Sequence, residues 1–119
     1  MDLVAIVDDD AAMRTSLDRL LRAYGYATSG FASAEEFLES GIEDSAVGLL
    51  LDIHLPGMSG IGLCRQLLAA GSKLPIVFMT AFDDEATHAE ALALGCVDYL
   101  EKPFETSRLT DALERWKQP

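Results

Sequence analysis

The sequence predicts an α/β fold, a doubly wound five-stranded parallel sheet in a three-layer sandwich with helices on both faces. Three observations predict it. Short apolar runs alternate five times with segments of helical spacing, the pattern of consecutive βαβ units. Several of those runs are apolar throughout rather than alternating, as strands covered on both faces must be. The length of 119 residues holds one domain and leaves no room for two, while 50% apolar residues suffice to bury a core.

The first strand is Leu3 to Val7, ended by three aspartates. Met13, Leu17, Leu20, Leu21 and Tyr24 then fall at helical spacing, and Gly25 stops that helix. Ala27 to Phe31 is a second, weaker strand. Ser33-Ala34-Glu35-Glu36 has the spacing of a capping box, and Phe37 and Leu38 give the short helix behind it an apolar side. Val47 to Leu51 is the third strand, ended by Asp52. Pro56-Gly57 and Ser59-Gly60 mark a loop, after which Leu63, Cys64, Leu67 and Leu68 form a helical stripe ending near Gly71. Pro75 to Thr80 is the fourth strand. Glu85 to Leu94 is an alanine-rich helix closed by Gly95, and Val97 to Glu101 is the fifth strand, followed by Lys102-Pro103. Leu109, Ala112, Leu113 and Trp116 lie at i, i+3, i+4 and i+7, so the last helix packs one face inward. Asp10 reads as the cap of the first helix, His88 as a solvated residue of the fourth, and Met58, Met79 and Trp116 as packing residues.

Composition bounds the function. Twenty acidic against nine basic residues give a net charge of −11, which argues against this domain gripping nucleic acid or an anionic membrane. The N-terminus lacks a basic region and its apolar run stops at Asp8, so neither a signal peptide nor a membrane span is expected. Cys64 and Cys96 form no CxxC pair, so reduced thiols in a cytoplasmic protein are the expectation, without a disulfide scaffold or zinc site.

In an open parallel sheet, ligands bind at the carboxyl ends of the strands. Asp8, Asp9 and Asp10 follow strand one, Asp52 ends strand three, Thr80 ends strand four and Lys102 follows strand five. Asp8, Asp9 and Asp52 against Lys102 leave two uncompensated negative charges, and like charges this close raise one another's pKa unless something offsets them. A divalent cation does so, and a few hard oxygen ligands suit Mg²⁺, with Mn²⁺ as substitute. One carboxylate is then left as a nucleophile for a phosphoryl group. Asp52 fits best, alone at a strand end before a Pro/Gly loop that leaves room above it. Lys102 and Thr80 offer an ammonium and a hydroxyl to the phosphoryl oxygens.

Four motifs make a resemblance explicit: Val7-Asp8-Asp9-Asp10, Leu51-Asp52-Ile53-His54-Leu55-Pro56-Gly57-Met58-Ser59-Gly60, Met79-Thr80-Ala81, and Tyr99-Leu100-Glu101-Lys102-Pro103-Phe104. Over essentially all 119 residues the chain resembles a receiver domain of two-component response regulators, with a flavodoxin/CheY-like (βα)5 fold. Phe31-Ala32-Ser33-Ala34-Glu35-Glu36-Phe37-Leu38 is most similar to FixJ-type transcriptional regulators. The resemblance implies that Asp52 is the phosphoacceptor. Asp9 and Asp52 would ligate Mg²⁺, Asp8 would hold metal-bound water, and the backbone carbonyl of His54 would complete the protein ligands. Lys102 would contact the phosphoryl oxygens, with Thr80 and Tyr99 as switch residues. It also implies a sensor histidine kinase as donor, and a face of helix four, strand five and helix five that controls dimerisation or an output domain. DNA would be reached only through such a domain beyond Pro119, making residues 1–119 the N-terminal part of a longer regulator.

Position 54 departs from the commonest pattern, since His replaces Asn, Arg or Met. Phe82, followed by Asp83 and Asp84, makes a bulky acidic loop beside the switch. Two other classes fit the residues less well. A Mg²⁺-dependent phosphohydrolase would need a second acid two residues after the nucleophile, where His54 stands. A non-phosphorylated interaction module has no need of Asp9, Asp52, Thr80 and Lys102 together. The expectation is therefore a switch that catalyses only its own phosphorylation and slow dephosphorylation, and otherwise no enzyme.

Overall fold

In the computed structural model, which describes residues 1–116, strands and helices alternate as the apolar runs require. They are β1 (Leu3–Val7), α1 (Ala11–Ala23), β2 (Ala27–Phe31), α2 (Ala34–Ser40), β3 (Ala46–Asp52), α3 (Gly60–Ala69), β4 (Ile76–Thr80), α4 (Glu85–Ala93), β5 (Asp98–Glu101) and α5 (Thr106–Trp116). A 3₁₀ turn, Ile42–Asp44, intervenes before β3. The five strands form one parallel sheet in the order β2-β1-β3-β4-β5. Strand order therefore reverses between β1 and β3, the place where doubly wound sheets open a crevice.

The apolar runs split by alternation into two cores, because successive strand side chains point to opposite faces. Ala5, Val7, Leu49, Leu51, Ile76, Phe78 and Tyr99 pack with α2, α3 and α4 through Phe37, Leu63, Leu67 and Ala91. Val4, Ile6, Leu50, Val77, Met79 and Leu100 pack with α1 and α5 through Leu17, Leu21, Leu109 and Leu113. Both faces are covered, which is why periodicity in the sequence is hard to see. The doubly wound sandwich of the sequence reading is the fold observed.

The helix starts follow local chemistry. Asp10 caps α1, its carboxylate accepting from the amides of Ala12 at 2.9 Å and Met13 at 3.4 Å. Ser33 caps α2 by accepting from the Glu36 amide at 3.1 Å, while its hydroxyl donates to the Glu36 carboxylate at 3.3 Å. Three strand starts differ from the sequence prediction. β3 begins at Ala46, which pairs with Leu3, one residue earlier than Val47. Pro75 has no N–H to give, yet its carbonyl still accepts from Leu49, so β4 begins at Ile76. Val97 donates to Ile76 just ahead of β5, which begins at Asp98. Cys64 and Cys96 are free thiols, and no helix among the described residues is long and apolar enough to cross a membrane. Lys117, Gln118 and Pro119, with any continuation past Pro119, lie outside the described residues.

Candidate functional site

Ladder hydrogen bonds run one residue past the strands and set the rim. Asp8 donates its amide to Phe31, Ile53 to Met79 and Lys102 to Thr80. Asp52 lies opposite Met79, and Thr80 opposite Glu101, so the predicted residues come level along one edge of the sheet. Alternation then sorts them. Asp8, Asp52 and Lys102 share parity with Ile6, Leu50 and Leu100, on the α1/α5 side. Thr80 and Tyr99 share parity with Phe78, on the side of α4.

On the first side a charged cluster forms. Asp8 is fully buried and Asp52 is 6% exposed. The Lys102 ammonium reaches both, at 2.7 Å from Asp8 Oδ2 and 3.2 Å from Asp52 Oδ2. The Asp10 amide donates to Asp8 Oδ1 at 2.9 Å, and the His54 amide to Asp52 Oδ1 at 3.2 Å. Asp9 is exposed but completes the group, since one carboxylate oxygen from each of Asp8, Asp9 and Asp52 lies within 4.8 Å of the others. Burial pushes the Asp52 carboxyl above the ordinary range; Lys102 pulls it back, and Asp8 pushes it further up. Burial alone would depress the Lys102 ammonium, but its bond to Asp8 and the charges of Asp52 and Asp8 outweigh this and raise it. One ammonium among three carboxylates leaves a concentrated negative charge of hard oxygen donors, a set that fits a divalent cation.

On the other side the switch candidates are tied to the β4–α4 loop. Thr80 is fully buried, and its hydroxyl donates to the Phe82 carbonyl at 2.9 Å while accepting from the Phe82 amide at 3.0 Å. The same carbonyl lies 3.4 Å from His54 Nε2, and the two rings meet edge to face at 5.8 Å. The imidazole of His54 thus bridges the two loops above Asp52 instead of entering the carboxylate cluster.

Tyr99 is 7% exposed, and among the described residues no group meets its hydroxyl in hydrogen-bonding geometry. Burial, then the nearby Asp83 carboxylate, pushes this phenol up to about 12. His88 stacks on Tyr99 at 4.1 Å and 6°, with Nδ1 3.7 Å from Asp83, so the reading of His88 as merely solvated is corrected. A cavity of about 550 Å³ opens here between α4, β5 and α5, lined by Asp83, His88, Tyr99, Phe104 and Arg108.

Three supports were missing from the sequence reading. Glu35, read only as part of a cap, accepts from the Met58 amide at 2.9 Å and so ties α2 to the loop after Asp52; that bond holds its carboxyl below the usual range. Gly60 lies so near the end of β3 that a Cβ there would stand 2.2 Å from the Asp52 carbonyl oxygen. Arg14 donates to the Asp8 carbonyl at 2.7 Å. None leaves a local signal: the Glu35 tie joins segments distant in sequence, the Gly60 approach depends on space, and the Arg14 bond, though only six residues apart, depends on the path of its side chain past Gly30.

Comparison with known proteins points one way. The family described as the response regulator receiver domain matches residues 4–114. The chain is 41% identical over 111 residues to the transcriptional regulatory protein FixJ of Bradyrhizobium diazoefficiens, covering 93% of this chain and 54% of that protein. It superposes on the response regulator StyR with a TM-score of 0.90 at 41% identity, over 98% of this chain and 59% of the other. It also superposes on the chemotaxis protein CheY4 of Vibrio cholerae with a TM-score of 0.86 at 25% identity, over 97% and 98% of the two chains. The chain spans about half the length of the curated relatives FixJ and nodulation protein W.

Proposed function

We propose that this chain, a member of the response regulator receiver domain family, accepts a phosphoryl group on Asp52 from a sensor histidine kinase. The observation that carries the reading is the joining of buried Asp8 and buried Asp52 through Lys102, with Asp9 beside them. Asp8, Asp9 and Asp52, with the His54 carbonyl, would hold a Mg²⁺ ion, for which Mn²⁺ could substitute. When bound, the ion supplies charge neutralisation to the phosphoryl oxygens.

The chain's own groups account for the rest. An Asp52 carboxylate oxygen attacks phosphorus; a P–O bond forms as the P–N bond of the donor phosphohistidine breaks, and the departing imidazole takes up a proton. Lys102, already 3.2 Å from Asp52, stays beside the acceptor as an ammonium to meet the incoming charge. Thr80 would exchange its bond to Phe82 for one to the phosphoryl group, releasing the β4–α4 loop. Tyr99, next to that loop, would pass the change to the face of α4, β5 and α5, which controls dimerisation or an output domain. DNA would be contacted by that further domain and not by this one. Such a domain would act in the cytoplasm as a switch, with no chemistry beyond its own phosphorylation and slow dephosphorylation.

Intact-mass spectrometry after incubation with acetyl phosphate and Mg²⁺ tests the acceptor. Wild type gains one phosphoryl group, while Asp52→Asn and EDTA-treated protein gain none. Equal labelling of wild type and Asp52→Asn would remove Asp52 from this role.

A further inference from the structure

Arg14 stands one turn into α1, yet its Nη1 reaches back to donate to the Asp8 carbonyl at 2.7 Å. The stem of the side chain passes over the edge strand β2. A Cβ built on Gly30 would lie 3.3 Å from Arg14 Cδ, so the bare backbone there leaves the path open. The Gly30 backbone is not in the left-handed region, so conformation does not demand glycine at that position. The accepting carbonyl belongs to the peptide that joins Asp8 to Asp9. Asp8 has other restraints, from Lys102 and the Asp10 amide. The exposed Asp9 carboxylate has no hydrogen-bond or ion-pair partner among the described residues, so its direction depends on the backbone that carries it.

We propose that Arg14 is a positioning residue for the cation site, fixing the Asp8–Asp9 peptide so that the Asp9 carboxylate stays with Asp8 and Asp52. This rests on reading the three carboxylates as a divalent-cation site. Charge and geometry make opposite predictions, which renders the idea testable. A guanidinium near the cluster repels a divalent cation, so removing its charge alone would tighten binding. Loss of positioning would weaken binding.

Mn²⁺ is the probe, with the free ion counted by electron paramagnetic resonance during titration of the whole chain. Wild type, Arg14→Met, Arg14→Lys and Gly30→Val are compared, and each is melted without metal. Arg14→Met is expected to bind Mn²⁺ about tenfold more weakly, the low end for loss of an outer-shell partner. Arg14→Lys, which keeps a donor on a long stem, recovers most of the loss. Gly30→Val keeps the guanidinium but obstructs its stem, and should also weaken binding several-fold. Should Arg14→Met fail to fold, Gly30→Val against wild type still decides the matter. Binding by Arg14→Met or Gly30→Val as tight as wild type, or tighter, overturns the positioning role. Absence of binding by wild type itself overturns the cation-site reading instead.

Discussion

In its proposed role Asp52 meets opposing demands: it would have to be ionised to attack phosphorus, yet burial and Asp8 both disfavour its charge. Its native pKa is raised above the ordinary 3.8, so the folded state holds this proton more readily than the unfolded chain does. Its contribution to stability is full below 3.8 and is lost as pH rises through the raised native value. Lys102 acts in a different window. Its pKa is raised above 10.5, so its contribution is full below that value and is lost at still higher pH. In EDTA, Asp52→Asn should therefore melt higher than wild type at pH 7, and the gap should narrow as pH falls towards 4. Melting curves across that range decide it; a lower melting temperature for Asp52→Asn at pH 7 would contradict the account. Thr80 calls for a different measurement, because its hydroxyl engages Phe82 and not the carboxylates. Thr80→Ala should take up phosphate with a rate within a few-fold of wild type but fail to change oligomeric state. Sedimentation of both proteins with and without phosphate tests this, and an equal shift in both would refute it.

Among the elements, the turn from β3 into α3 holds Asp52 in place. The Gly60 amide donates to Ile53 at 2.9 Å, and the closeness of Gly60 to the Asp52 carbonyl leaves no space for a methyl group. The obstructing atoms, the Asp52 carbonyl and the Ile53 Cα, are all backbone, so movement of a flexible side chain cannot relieve the clash. Gly60→Ala should cost about 3 kcal/mol, the upper range for overpacking, and lower the phosphorylation rate as Asp52 shifts. Urea unfolding followed by the emission of the single tryptophan, Trp116, measures the first effect. A loss below about 0.5 kcal/mol would show that the turn yields and that the close approach of Gly60 to Asp52 is not a constraint. This turn also marks how far the sequence could be read. Strand ends, caps and the residues at the rim were legible, because each is announced by a run that stops or a residue type that caps. Hidden from view was the parity that separates Asp8, Asp52 and Lys102 from Thr80 and Tyr99, since strands buried on both faces show no alternation. The Glu35–Met58 tie, the Arg14 contact and the His88 stack join separate elements, so only the packed fold reveals them.

For the whole molecule, the net charge of −11 combines two effects that salt can separate. A diffuse acidic surface repels itself, and any electrolyte screens it according to ionic strength alone. The Asp8, Asp9 and Asp52 cluster is different, because its buried members are poorly screened by monovalent ions while a coordinated divalent ion would offset them directly. At matched ionic strength, replacing NaCl by MgCl₂ should therefore give an additional rise in melting temperature. At a hundred times the dissociation constant, linkage supplies about 2.7 kcal/mol, or roughly 10 °C for a domain of this size. Asp9→Asn removes one exposed carboxylate and barely alters the diffuse charge, yet it should abolish most of that additional rise. Glu39→Gln removes the same formal charge from the exposed surface of α2 and should leave it intact. Equal responses to Mg²⁺ from these two variants would mean that the acidic total, and not the cluster, governs how the domain responds to cations. The opposite result would assign the effect to three of the twenty acidic side chains, those gathered where β1 and β3 part.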